Sequence, residues 1–164
     1  MLLVCDRLSG LNWSELMAVY AEGVSENGRE FYPELPEPQQ ILRAEQDFYT
    51  YLKQDFFRCR QERYCVWVEN GRYVSALRLH PFEDGLLIEA LETRPAYRQK
   101  GYATGLMRAV LAEIGQQKVY SHISRRNRAS IATHKQFGFR KFLDYARYCG
   151  GEINTYCDTY LYEP

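Results

Sequence analysis

The chain has 164 residues, 46% of them hydrophobic and 15% aromatic, which predicts one domain over residues 1–164 with its own core and excludes disorder. Its formal charge is zero, with 21 acids against 21 bases, so general attraction to nucleic acid is not expected. No apolar run is long enough for a bilayer and the N-terminus lacks the apolar core of a signal peptide, so the expectation is a soluble, cytoplasmic protein without membrane contact.

In chain order, Leu2–Arg7 reads as a strand. From Asn12 to about Gly28, Trp13, Leu16, Met17, Tyr20 and Val24 recur at three and four, predicting a helix. Gly28, Pro33, Pro36 and Pro38 break the next stretch, a predicted loop from Ser25 to Pro38. Pro38 suits the first turn of a second helix, whose apolar face holds Ile41, Leu42, Phe48, Tyr49, Leu52 and Phe56, with Glu45 as the exception. The period then changes to two. Tyr64–Glu69 and Arg72–His80 flank Asn70-Gly71, a hairpin whose turn needs positive φ at both central residues. Leu86–Arg94 is a third strand of this meander. Gly101 to about Ile114 is a helix, Lys118–Ser124 a strand, Asn127–Gly138 a short helix, and Phe139–Tyr148 and Thr155–Tyr162 two closing strands. The predicted order is βααβββαβαββ, a mixed α/β (α+β) sheet.

Charge is uneven along this order. Asn12–Phe57 holds nine acids and three bases, Arg58–Tyr148 seventeen bases and eight acids. The later part suits an anionic ligand and the earlier part a cation, although solvated helix faces account for the same counts. The five cysteines, Cys5, Cys59, Cys65, Cys149 and Cys157, form no CxxC pair, so reduced, packed thiols are expected rather than a disulfide scaffold, and no metal site.

The segment LETRPAYRQKGYATGLMRAVL joins the third meander strand to a helix. Such a turn aims several backbone N–H groups outward at the positive end of the helix, which makes an anion site. Gly101 and Ala103 let a ligand approach the backbone, Arg98 and Lys100 add charge, and Thr104 adds a hydroxyl. The stretch is neither a P-loop nor a GxGxxG fingerprint. A bare RxxGxA also reads as an ordinary basic strand–helix turn. In NRASIATHKQFGF, one turn after Ser130 and Ile131, His134 has two readings as well, packing or chemistry.

Taken together, a strand ending LET-x-P, then Y-R-x-x-G-x-A opening a helix, then a strand and N-x-x-S-I-x-x-H-x-x-F-G-F, resembles the GNAT superfamily of acyl-CoA-dependent N-acetyltransferases. The resemblance is specific from Leu86 to Phe139 and rests on Arg98, Gly101, Ala103, Asn127, Ser130 and Gly138-Phe139; the front half matches in element order only. It implies a GNAT fold and acetyl-CoA as cosubstrate. The amides of Gln99, Lys100, Gly101, Tyr102, Ala103 and Thr104, with Arg98, would hold the diphosphate. The strand end at Leu91–Thr93 would pair with the pantetheine arm, and an amide near Leu91 or Glu92 would polarise the thioester carbonyl. Asn127 would bind the arm from the other side. A tyrosine commonly stands where His134 stands, and His134 would assist departure of the thiolate, by giving a proton or by donating a hydrogen bond as neutral imidazole. His122 would take the proton of the acceptor ammonium, with Glu92 behind it. Glu89 is a rival, expected on the opposite strand face from Glu92, so that only one of the two would reach a given cleft. His80, before Pro81, reads as structural.

The acceptor side implied by the resemblance is the first two helices and their loop. Glu22, Glu26, Glu30, Glu34 and Glu37, with Phe31 and Tyr32, would suit a small-molecule or peptide amine. A small amine, amino acid, aminoglycoside-like drug, peptide N-terminus and protein lysine all fit this reading. The basic run Ser124–Arg128 lacks interleaved aromatics, so nucleic acid is not expected there. The C-terminal tyrosines, Tyr145 to Tyr162, are candidates for an acceptor wall or a homodimer face, and strand propensity accounts for them equally. The alternative to an enzyme is a non-catalytic acyl-CoA-binding sensor or partner module on the same fold.

Overall fold

The computed structural model describes residues 1–148 and 151–164; Cys149 lies outside them. A seven-stranded sheet runs β1-β2-β3-β4-β5-β9-β6. Its strands are β1 (Leu2–Cys5), β2 (Arg63–Glu69), β3 (Arg72–Phe82), β4 (Gly85–Thr93), β5 (Val119–Ser124), β6 (Arg140–Leu143) and β9 (Cys157–Tyr162). A separate two-residue ladder joins β7 (Ala146–Arg147) to β8 (Ile153–Asn154). The helices are α1 (Trp13–Val19), α2 (Ala21–Phe31), α3 (Glu37–Gln54), α4 (Tyr102–Ile114) and α5 (Arg128–Gln136). This is the expected mixed α/β order, with one helix and one small ladder more.

The sheet separates two cores. Leu16, Tyr20, Leu52, Phe56, Tyr64 and Val66 pack on the side of α1–α3. Leu77, Ile88, Leu106, Met107, Val119 and Phe139 pack on the other, under α4 and α5. Asn70 and Gly71 both take positive φ, 49° and 76°, as the hairpin turn requires. Pro38 sits in the first turn of α3.

The front half departs from the sequence reading in two places. The helix expected from Asn12 to Gly28 is two helices that break at Tyr20, which is buried there and whose hydroxyl donates to the Ala90 carbonyl at 2.8 Å. The apolar spacing continues across the break, so it carries no mark of it. Gly28 does not end a helix: α2 runs to Phe31, and an added Cβ at Gly28 would lie 2.8 Å from the Gln40 backbone. The glycine lets α3 approach closely. At the C-terminal end, the long strand expected over Phe139–Tyr148 bends at Asp144–Tyr145. The Arg125 guanidinium donates to the Asp144 carbonyl there and the Thr159 hydroxyl to the Tyr145 carbonyl at 2.7 Å.

β4 and β5 are the only parallel neighbours among the described residues, and they pair only from Leu86–Ile88 to Val119–Ser121. Beyond Ile88 and Ser121 they run on to Thr93 and Ser124 without pairing with each other, which leaves a gap in the middle of the sheet.

Candidate active site

The gap begins where β4 bulges. Ala76 pairs with Glu92 and Arg78 with Glu89, so Leu77 alone faces both Ala90 and Leu91. Ala90 takes φ 50°, the left-handed conformation found at the first residue of one class of bulge. The extra residue resets the side-chain alternation. Ala76 and Arg78 share a face of β3, so Glu89 and Glu92 share a face of β4. The expectation that they lie on opposite faces is therefore corrected, and both line a small cleft of about 160 Å³ between the parted strands.

That cleft gathers most of the predicted chemistry. Leu91, Glu92, His122, Asn127, Ser130 and His134 all border it. His134 is 1% exposed, its ring edge-on to Phe139 at 5.0 Å. Its Nδ1 lies 2.8 Å from the Ser130 carbonyl, an acceptor only, so Nδ1 must carry a hydrogen. Among the described residues Nε2 has no hydrogen-bond partner. Burial lowers the His134 pKa, and the bond to Ser130 only partly opposes this. The neutral ring therefore presents a bare Nε2 lone pair. It cannot donate a hydrogen bond from that atom, one of the two actions the sequence reading allowed.

His122 stands between Phe82 and Tyr148, at 5.2 and 5.5 Å between ring centres. Neither of its nitrogens has a hydrogen-bond partner among the described residues. Burial lowers its pKa while Glu89 pulls it up. Glu92 differs: burial raises its pKa, and the Arg98 guanidinium, 3.8 Å away, opposes the rise.

A larger cleft of about 540 Å³ continues from this gap toward the start of α4. It is bordered by Leu91, Glu92, Thr93, Arg98, Gln99, and Gly101 to Thr104, and closed by Asn127. Gln99 and Gly101 take positive φ, 60° and 80°, and Gly101 caps α4 without any side-chain bond. The first amides of α4 are thus left for a ligand. A Cβ at Gly101 would meet nothing within 4 Å, so the glycine serves conformation and access, not packing. Asn127 spends its carbonyl oxygen capping α5, accepting from Ser130 N at 3.0 Å, and keeps its amide hydrogens for other partners.

Two predicted diphosphate ligands are engaged elsewhere. The Lys100 ammonium donates to the Ala96 carbonyl at 3.0 Å and lies over the Tyr97 ring; it does not border the cleft. Arg98 borders the cleft, but its guanidinium sits 2.6 Å from Glu22 on α2 and donates to the Thr93 carbonyl. Arg125 in the basic run is likewise committed, to Asp158 at 2.7 Å.

On the face toward α1–α3, the sheet carries a polar row that the sequence reading missed. Tyr64 pairs with Arg78, Arg78 with Glu89, and Glu89 lies one residue past the last β4–β5 pair, toward His122. His80 stands inside β3 rather than at its end, with Nε2 3.4 Å from Glu89. Arg78 reaches Glu89 at 3.7 Å and lies under Phe48, Tyr51 and Phe56. Burial pushes the Glu89 carboxyl up, but His80 and Arg78 outweigh it and hold the group below its ordinary range. Of the seven buried side-chain polar atoms without a hydrogen-bond partner among the described residues, six belong to Glu62, Tyr64, Arg78, His80 and His122 on or beside this row. Buried polar atoms are normally paired, which makes the row a candidate contact for water or ligand, with His80 Nε2 already turned toward Glu89.

Above the row, α2, α3 and the sheet border a half-open cavity of about 450 Å³ that ends at Ala90. Phe31, Phe48, Tyr51 and Arg78 line it, but Glu22, Glu26, Glu30, Glu34 and Glu37 do not. Of the acidic residues read from the sequence, Glu22 instead pairs with Arg98 at the larger cleft.

The sequence and the fold have counterparts among known proteins. The sequence matches the model of the acetyltransferase (GNAT) family over residues 27–139, and the chain belongs to that family. Solved structures share the fold across nearly the whole chain. An N-acetyltransferase from Staphylococcus aureus Mu50 is 15% identical with a TM-score of 0.60, covering 99% of this chain and 98% of that one. Aminoglycoside 6′-acetyltransferase type Ii is 11% identical with a TM-score of 0.63, covering 99% and 96%. The PaiA N-acetyltransferase from Thermoplasma acidophilum, in complex with coenzyme A, is 10% identical with a TM-score of 0.59, covering 100% and 99%. A search of curated proteins gave no match. Membership of the family implies acyl transfer from an acyl-CoA. No helix among the described residues is long and apolar enough to cross a membrane.

Proposed function

We propose that residues 1–164 act as one N-acetyltransferase domain that moves an acetyl group from acetyl-CoA to a primary amine by direct attack in a ternary complex. The observation that carries this reading is the convergence of the β4 bulge, the open amides of α4 and His134, whose buried Nε2 has no partner among the described residues, on one continuous gap. The residues fit the coenzyme. Amides from Gln99 to Thr104 would hold its diphosphate, Leu91 and Thr93 would pair with the pantetheine arm, and the Asn127 amide would close on it. A cytoplasmic setting suits the four free cysteines among the described residues.

The chemistry follows from protonation states. An ammonium has no lone pair, so it must lose a proton before attack. His122, neutral through burial and beside the carboxylate of Glu89, takes that proton. Glu92, half-exposed and facing Arg98, stands behind it. Attack on the thioester carbon makes an oxyanion, which a backbone amide at the Leu91 bulge stabilises. The attacking nitrogen then carries a surplus proton. His134 Nε2 accepts it, the Ser130 carbonyl holding the imidazolium, and passes it to the departing thiolate, whose ordinary pKa is about 8.5. The C–S bond breaks, the C–N bond stays, and amide and free thiol leave.

A thermal melt with acetyl-CoA at about a hundredfold excess over Kd should stabilise the fold by about 2.7 kcal/mol, and thiol release should then depend on an added amine. Stabilisation with no release for any amine would favour the sensor reading. No stabilisation at millimolar coenzyme would remove the coenzyme site.

A further inference from the structure

The cavity between α2 and α3 defines the acceptor more narrowly than the family does. It touches the reaction gap directly, because Ala90 borders both the cavity and the small cleft. From the cavity side the Tyr20 hydroxyl holds the Ala90 carbonyl at 2.8 Å. An acceptor entering there meets the thioester at the bulge.

Its lining is apolar and aromatic, chiefly Val24, Phe31, Phe48 and Tyr51. Two charged side chains border it among the described residues, and they have opposite signs. Asp47 is already bonded by the Tyr32 hydroxyl. Arg78 lies at the sheet end, under three aromatic rings. A second ammonium held inside the cavity would meet an apolar wall or a fixed guanidinium, and both cost free energy. A volume of about 450 Å³ suits a compact body. Phe31 is 65% exposed at α2's last turn, a large apolar surface with no partner in the fold among the described residues.

We propose that the acceptor is a small primary monoamine with an aromatic or branched-alkyl body, seated between α2 and α3 with its amino group at Ala90. This rests on the acetyl-transfer reading above. Polyamines, aminoglycosides and protein lysines are thereby disfavoured.

The test uses the whole chain with acetyl-CoA and four probes: ethylamine, phenethylamine, spermidine and a lysine-containing peptide. Burying a ring predicts kcat/KM about fiftyfold higher for phenethylamine than for ethylamine, with spermidine and the peptide below both. Gly23 provides the matching variant. It borders the cavity, and an added Cβ meets nothing within 4 Å. Gly23→Leu therefore starts a bulky side chain at the cavity wall with no clash at its Cβ, and adds helix propensity. It should keep the Tm and coenzyme affinity, and raise KM for phenethylamine at least tenfold while sparing ethylamine. Faster acetylation of spermidine or of the peptide, or an unmoved KM in Gly23→Leu, overturns the inference and leaves acetyl transfer standing. A calorimetric titration of phenethylamine into coenzyme A-bound protein separates the two readings. Binding that Gly23→Leu abolishes, without turnover of any probe, upholds the cavity and defeats transfer; no binding and no turnover defeats both.

Discussion

The two faces of the central sheet solve different problems with different materials. Under α4 and α5 the cleft is built from backbone: a bulge, two left-handed residues and an uncapped helix start. Under α1–α3 it is built from side chains, Tyr64, Arg78, His80, Glu89 and His122, drawn from four strands. A backbone site offers hydrogen bonds that any diphosphate or amide can use, so it suits a constant cosubstrate. A side-chain site changes with every substitution, so it suits a variable one. The proposed transfer falls where the two meet, at the only place where the sheet is open between paired strands among the described residues.

The sharpest way to break this contrast is to substitute the residue at the junction. His134→Gln should lower kcat by about a hundredfold, within the usual range for losing a proton-transfer group, while the Kd for acetyl-CoA stays unchanged. Rapid-mix thiol release beside equilibrium titration reads both. Unchanged kcat would return His134 to packing. Next in size is Arg98→Glu, which should weaken coenzyme binding about tenfold and loosen α2, because the new carboxylate faces Glu22 and Glu92. A loss of affinity equal in Arg98→Ala and Glu22→Ala would mean that the pair, rather than the positive charge, shapes the cleft. Gly101→Ala should cost less, a few-fold in coenzyme affinity and about 1 kcal/mol of stability from its φ of 80°. Equal coenzyme affinity in that variant would show that the α4 amides are not approached closely.

How much of this could be read from the chain alone follows the same division. A backbone site leaves a mark in sequence, because Gly101, Ala103 and Asn127 are there for geometry, and the spacing between them survives without side-chain detail. The row on the other face leaves none, because register assembles it. A hairpin closed at Asn70-Gly71 with regular pairing would set Tyr64 opposite Leu77. An extra residue, Val74, between the pairs Trp67–Ser75 and Val68–Tyr73 moves Arg78 beside Tyr64 instead. The second irregularity, at Ala90, turns Glu92 onto the face of Glu89. Neither bulge has a signature in its own residues; the one at Ala90 is legible only through the family resemblance, which implies an amide near Leu91 or Glu92 aimed at the thioester. The break at Tyr20 and the close approach at Gly28 were hidden for a related reason: helical periodicity does not register a kink, and a glycine spaced for contact looks like one that ends a helix.

The smallest expected effect concerns pH, and it tests whether His134 is neutral when the protein rests. Burial lowers its pKa in the folded chain, while the unfolded value is about 6.5. Below that pH the unfolded chain binds a proton that the folded chain resists, so stability falls as pH drops from about 6.5 toward the lowered folded value, and it is fully present above. The slope for one such group cannot exceed about 1.4 kcal/mol per pH unit. His122 is also lowered by burial and adds to the same limb. Partial burial raises Glu62 and Glu92; they favour the folded state at lower pH and oppose it. The net curve therefore mixes signs, and the informative quantity is a difference. Denaturant unfolding of the native chain and of His134→Gln between pH 5 and 8 should give a stability gap that shifts in the variant's favour as pH falls below 6.5. A gap that shifts the other way would mean that the folded state holds His134 as imidazolium, a donor waiting for the thiolate rather than a lone pair waiting for the amine's proton.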